Sequence, residues 1–163
     1  MWTVMPSPIG DLRIVERDGK ITQIEFSPFL PSGQSHDGRP RGAQQDDHPV
    51  LVEAVMQLRA YFDRDLKEFD LPLAPVGSAF QQSVWDQLVK IEYGETASYG
   101  EIARRLGKSN AASRAVGLAN GSNPIPIVIP CHRVIGANGT LTGYAGGIER
   151  KQTLLELEQD ALF

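Results

Sequence analysis

Cysteine is nearly absent, with one thiol, Cys131, in 163 residues. A single thiol excludes an intramolecular disulfide and any multi-cysteine metal site, and leaves Cys131 as core filler or as a reactive group. Long apolar runs are missing too, so no segment approaches membrane-spanning length. Met1-Trp2-Thr3-Val4-Met5-Pro6 lacks the basic start and apolar stretch of a secretory leader. A cytoplasmic location is expected, and one unpaired thiol agrees with a reducing compartment. Acidic residues are absent from Ile102 to Ile148, a stretch that carries Arg104, Arg105, Lys108, Arg114 and Arg133. The net charge of -4 therefore hides an asymmetry: the first 77 residues hold 8 Lys/Arg against 12 Asp/Glu, and the remainder hold 8 against 8. A local basic face in the second half could meet phosphates.

What is present reads as α+β, a small N-terminal antiparallel sheet with a helix, then a mostly helical C-terminal domain with a helix-turn-helix. Leu12 and Ile14 alternate with Arg13, and Ile24 and Phe26 with Glu25, around Asp18-Gly19, which suits a tight primed turn. Residues 31 to 49 are rich in Pro, Gly, Gln and Asp and read as a mobile loop. Leu51, Val55, Leu58 and Phe62 share one face of a helix from about Val50 to Phe62. The stiff segment Leu71-Pro72-Leu73-Ala74-Pro75-Val76-Gly77 marks a boundary between residues 1–76 and 77–163.

Beyond that boundary, Ser78-Ala79-Phe80-Gln81 and Ser98-Tyr99-Gly100-Glu101 have the form of capping boxes. The first precedes an apolar stripe of Phe80, Val84, Leu88 and Ile91; the second opens a short helix to Leu106, with Gly107 as its C-terminal cap. Asn110 can cap a third helix, Ala111 to about Asn120, and the last two form the helix-turn-helix candidate. That third helix is thin, with Ala111, Ala112, Ser113, Ala115, Gly117 and Ala119, and Arg114 is its one long polar side chain. Tight core packing explains the small residues as well as close approach to a narrow groove does; a lone arginine on so bare a helix favours the groove. Ile127-Val128-Ile129 reads as a buried strand that Pro130 ends rigidly. Ala137-Asn138-Gly139-Thr140 turns a second hairpin, and a flexible glycine-rich loop leads to a helix from Ile148 to about Gln159. Glu158 falls near the middle of that helix's apolar face, where Lys151 could pair with it.

Cys131 sits in Pro130-Cys131-His132-Arg133-Val134. An imidazole and a permanent cation beside it form the electropositive setting that lowers a thiol pKa. That motif, preceded by Ala115-Val116-Gly117 and Asn123-Pro124 and followed by Gly143-Tyr144-Ala145-Gly146-Gly147, resembles the O6-alkylguanine-DNA alkyltransferases, strongly from Phe80 to Glu158. The resemblance implies an N-terminal domain of ribonuclease H-like form and a C-terminal DNA-binding, alkyl-accepting domain. It implies direct-reversal repair: one alkyl group moves from O6-alkylguanine, and from O4-alkylthymine, in duplex DNA to Cys131, once per molecule and without a cofactor. By the same resemblance His132 takes the thiol proton through a water, Glu158 holds the imidazole, Tyr99 donates to the purine and Asn123 braces the segment leading to the cysteine. Arg114 fills the place of a flipped nucleotide; Ser113, Ala115, Gly117 and Arg133 belong to the DNA-binding set, and Tyr144, Ala145 and Gly146 line the base pocket. The expected partner is alkylated double-stranded DNA, not a membrane, met by a monomer that can bind cooperatively along the duplex. Some relatives hold zinc through N-terminal cysteines and histidines; only His36 and His48 stand there in this chain, so no metal is expected. Some carry Ser where Ala145 stands, which removes one hydroxyl from the pocket. A non-catalytic lesion-binding relative is the nearest rival reading, but such proteins replace the reactive cysteine, which is present here as Cys131; a sequence-specific regulator with a structural cysteine and a cysteine hydrolase are the others, and adjacent Cys and His side chains point apart, which makes a directly bonded dyad awkward.

Overall fold

The computed structural model describes residues 1–29, 39–141 and 143–160. The architecture is α+β, and the chain divides into two compact units, Met1–Val76 and Gly77–Phe163.

In the first unit β1 (Trp2–Met5), β2 (Leu12–Arg17) and β3 (Lys20–Phe26) form an antiparallel sheet in that order. Asp18 and Gly19 make the β2–β3 turn at φ 54° and 79°, as Asp-Gly predicts. β1 was not legible as a strand; it pairs with β2 through Trp2↔Val15 to Met5↔Leu12. The polar positions of this hairpin, Arg13 and Glu25, do not face solvent. They stand directly opposite each other and are buried, with Arg41 completing an ion cluster: Arg13 Nε and Nη2 reach Glu25 at 2.9 and 2.6 Å, and Arg41 Nε reaches it at 2.9 Å. Part of the expected mobile loop, residues 31–38 with His36, lies outside the described residues. Its latter part is anchored, since Trp2 N–H donates to Ala43 O and Gln45 N–H to Trp2 O. His48 caps α1 (Pro49–Phe62) by accepting from Val50 N–H, with Pro49 in the first turn where its missing N–H costs nothing. The proline-rich segment runs beside β3, where Ile21 N–H donates to Pro72 O and Ala74 N–H to Ile21 O.

In the second unit α2 (Ala79–Leu88) opens on a complete capping box between Ser78 and Gln81. Its Trp85 is buried and donates through Nε1 to Ala119 O at 2.9 Å, tying α2 to α4 (Ser113–Gly121). β4 (Ala97–Ser98) leads into α3 (Tyr99–Arg105), whose cap is Ser98 accepting from Glu101 N–H. The expected cap by Asn110 does not form. Residues Asn110–Ala112 make a 3-10 turn instead, α4 starts without a side-chain cap, and Asn110 Oδ1 accepts from Arg104 Nη1 at 2.8 Å. Among the described residues no second hairpin forms either: Gly136 and Thr140 close a turn, but β5 (Val134–Ile135) pairs in parallel with β4. α5 (Ile148–Asp160) closes the unit, with Lys151, Leu154 and Glu158 buried.

Candidate active site

The segment before the cysteine is buried but is not a strand. Val128 N–H donates to Pro126 O and Ile129 N–H to Ile125 O, and Ile127 sits at φ 74°, an uncommon conformation for a β-branched residue. Such strain costs about 1–3 kcal/mol and persists only where neighbours impose it. Asn123 imposes it here. Its Oδ1 accepts from Ile125 N–H at 3.0 Å and its Nδ2 donates to Ile129 O at 2.8 Å, clamping both ends of the turn. Pro130 then delivers the chain into a 3-10 turn, Cys131–Arg133, which presents the thiol on a short rigid element. From the end of α4, Asn120 Nδ2 reaches the Cys131 carbonyl at 3.3 Å.

Cys131 is only 3% exposed, and burial pushes its thiol up to about 11, against the lowering expected from its basic neighbours. Desolvation of a thiolate outweighs the side chains of Asn123 and Tyr144 and the charge of Lys151, all of which favour ionisation. The cysteine is therefore held as a thiol at neutral pH.

His132 is fully buried, and Nε2 lies 2.6 Å from Glu158 Oε2. Burial holds the imidazole below its usual range, despite the carboxylate beside it. For Glu158 burial works against ionisation, but hydrogen bonds and charge from His132 and Arg133 overcome it and hold the carboxyl at about 2. An ionised carboxylate only accepts, so Nε2 carries the hydrogen and the neutral ring keeps its lone pair on Nδ1. That atom is buried and has no protein partner among the described residues. The proposed Lys151–Glu158 pair does not form; Lys151 Nζ donates to Val134 O at 2.6 Å, and Glu158 also accepts from Gly94 N–H at 3.3 Å. Arg133, expected on a DNA-binding face, is buried: its guanidinium grips Glu158 and donates to Ile91 O, so it is not placed to meet phosphate.

Cys131, His132, Glu158, Asn123 and Tyr144 thus converge, with Arg133 joined to them through Glu158, while the other sequence-predicted residues lie elsewhere in the unit. Tyr99 stands at the start of α3, half-buried, and its ring packs beside Gly117 at a distance that would make ordinary contact with an added Cβ. Arg114 and Ala115 are exposed on α4, and Ser113 and Gly117 are partly covered. Ala145 is exposed and Gly146 partly so, in the turn ahead of α5. Arg104, Arg105 and Lys108 are exposed. Sequence reasoning missed Asn120 as a contact of the cysteine backbone and Arg133 as a partner of Glu158. The spacing of Arg133 and Glu158 to a common point inside the fold carried no local signal. No cluster of three or more His, Cys, Asp or Glu suited to a metal ion occurs among the described residues.

Both units are similar to known proteins of one family. Residues 79–160 match the family described as 6-O-methylguanine DNA methyltransferase, DNA binding domain, and residues 1–75 match its ribonuclease-like domain. A methylated-DNA–protein-cysteine methyltransferase of Methanosarcina acetivorans is 62% identical over 96% of this chain and 97% of its own length. The crystal structure of the Mycobacterium tuberculosis O6-methylguanine methyltransferase superposes with a TM-score of 0.85 at 46% identity, covering 98% of this chain and 93% of that one. A structure of the M. tuberculosis protein in complex with DNA gives 0.84 at 47% identity, with the same coverage.

Proposed function

Since the chain belongs to the 6-O-methylguanine DNA methyltransferase family, we propose that it repairs alkylated duplex DNA by moving the alkyl group of O6-alkylguanine, and of O4-alkylthymine, onto Cys131. The observation that carries this reading is the buried thiol next to an imidazole whose far nitrogen is fixed by an ionised carboxylate. Nucleophile, base and orienter stand in the order used by other activated cysteines.

With the thiol at about 11, roughly one molecule in ten thousand holds a thiolate at neutral pH. Deprotonation therefore has more to supply than for a free thiol, up to about 5 kcal/mol. As the lesion arrives, the Sγ proton passes through one water to His132 Nδ1. Sulfur attacks the alkyl carbon in line, the carbon–O6 bond breaks, and its electron pair stays with guanine. Tyr99 donates to the purine ring and eases that departure. Holding sulfur and carbon in line, with no water between them, supplies the rest of the acceleration.

A base inside a duplex cannot reach a buried sulfur, so the nucleotide is rotated out at a cost of a few kcal/mol. α3 and α4 act as the helix-turn-helix that meets the groove. Arg114 takes the vacated place in the stack, Ser113, Ala115 and Gly117 let the helix approach closely, and Tyr144, Ala145 and Gly146 line the pocket. Exposed Arg104, Arg105 and Lys108 answer the phosphates. A thioether is a very poor leaving group, so each molecule reacts once.

Intact-protein mass spectrometry after mixing with a duplex carrying O6-methylguanine tests this. One added methyl group, mapped to Cys131 and absent from Cys131→Ser, is expected. An unmodified protein, or a methyl on another residue, contradicts the reading.

A further inference from the structure

Glu158 holds two groups that make opposite demands on it. His132 Nε2 reaches Oε2 at 2.6 Å, while Arg133 takes Oε1 through Nε at 2.8 Å and Oε2 through Nη2 at 3.1 Å. Arg133 is itself fixed, with Nη1 donating to Ile91 O at 2.6 Å and the guanidinium 5.7 Å from the centroid of the Tyr93 ring. A buried carboxylate paired with imidazole alone favours the imidazolium, which cannot accept a proton. A guanidinium gripping the same two oxygens offsets that negative charge without removing the hydrogen bond that orients the ring.

Building on the alkyl-transfer reading, we propose that Arg133 is a positioning residue which, by sharing the Glu158 carboxylate with His132, keeps the imidazole neutral and able to receive the Cys131 proton. The other ionisable groups around the pair act in known directions. Lys151, from α5, is a cation that disfavours imidazolium, as Arg133 does; Glu158, on the same helix, favours it. Cys131 precedes His132 in the 3-10 turn and is protonated at neutral pH, Tyr144 faces the thiol, and Tyr93 lies against the guanidinium. Arg133 touches both carboxylate oxygens, which gives it strong leverage on their charge.

The test is a nitrogen-15 NMR titration of His132 without DNA, together with the pH profile of methyl transfer. Wild-type His132 is expected to be the neutral Nε2–H tautomer at pH 7. In Arg133→Gln its midpoint rises by about one unit or more, and methyl transfer at pH 7 falls by up to about threefold for each unit near neutrality and recovers as the pH is raised. A purely structural role would lower stability and the fraction of competent protein but leave the midpoint of the profile unmoved. A folded Arg133→Gln with neutral His132 and an unshifted profile overturns the proposal. So does wild-type His132 that is already protonated at pH 7, a result that needs no variant to fold. A wild-type protein with neutral His132 that transfers no methyl counts against the alkyl-transfer reading instead.

Discussion

Glu25 in the first unit and Glu158 in the second are each buried between two partners that are or can become cations, and the two clusters differ in a single partner. Glu25 lies between two permanent cations, Arg13 and Arg41, whereas Glu158 lies between one permanent cation, Arg133, and an imidazole. The first arrangement has nothing to exchange at neutral pH and serves to join β2, β3 and the segment around Arg41. In the second, one partner can gain a proton, and its free nitrogen belongs to the residue next to a thiol. Burying charge is common to both; only a titratable partner turns a buried ion pair into a proton relay.

Matched substitutions separate the two most strongly. Glu25→Gln leaves two buried guanidinium groups without their carboxylate and should cost about 3–5 kcal/mol in denaturant unfolding, with methyl transfer by the folded fraction unchanged. Glu158→Gln should carry a similar cost in its own unit and also slow methyl transfer by folded molecules about a hundredfold or more. Equal rates for the two variants, normalised to folded protein, would erase the distinction.

Acid sharpens the same comparison through linkage. The His132 pKa lies below its unfolded value of 6.5, so the unfolded chain protonates first and stability falls as pH drops below about 6.5. Glu158 is held at about 2 against 4.5, so its contribution, on the order of 3 kcal/mol, is present above 4.5 and lost between 4.5 and 2. Unfolding followed against pH should show both losses, and the lower one should vanish in Glu158→Gln. At the alkaline end the raised Cys131 pKa makes stability decline between about 9 and 11, a loss that Cys131→Ser removes. The smallest effects belong to the surface. Lys108→Ala or Arg104→Ala should weaken DNA binding evenly across sequences and lower the salt slope by about one each, measured by titration at several salt concentrations.

Much of the framework was legible because it rests on local chemistry. Asp18-Gly19 specified its turn, Ser78 and Ser98 their helix starts, and the apolar spacing of Leu154 and Glu158 their inward face on α5. What escaped was set by distant partners. Arg13 and Glu25 look like the solvent side of an alternating hairpin, yet each is buried because the other stands across the strand pair. Ile127-Val128-Ile129 has strand composition, but two hydrogen bonds from Asn123 bend it into a turn. In the site, Cys131 and His132 were evident from their motif. The thiol's raised pKa was not, because burial is a property of the packed unit and the neighbouring cations that suggested the reverse are turned to other tasks. Arg133 is the clearest case: the same charge that suggests a phosphate contact in the sequence is spent inside, on Glu158.

The central claim, a single transfer to one sulfur, is tested most directly by titrating a fixed amount of protein with excess duplex carrying O6-methylguanine and counting lesions lost. The account predicts a plateau at one lesion per molecule, with the methyl group on Cys131. Continued loss of lesions beyond one equivalent, or a plateau with Cys131 unmodified, would contradict it.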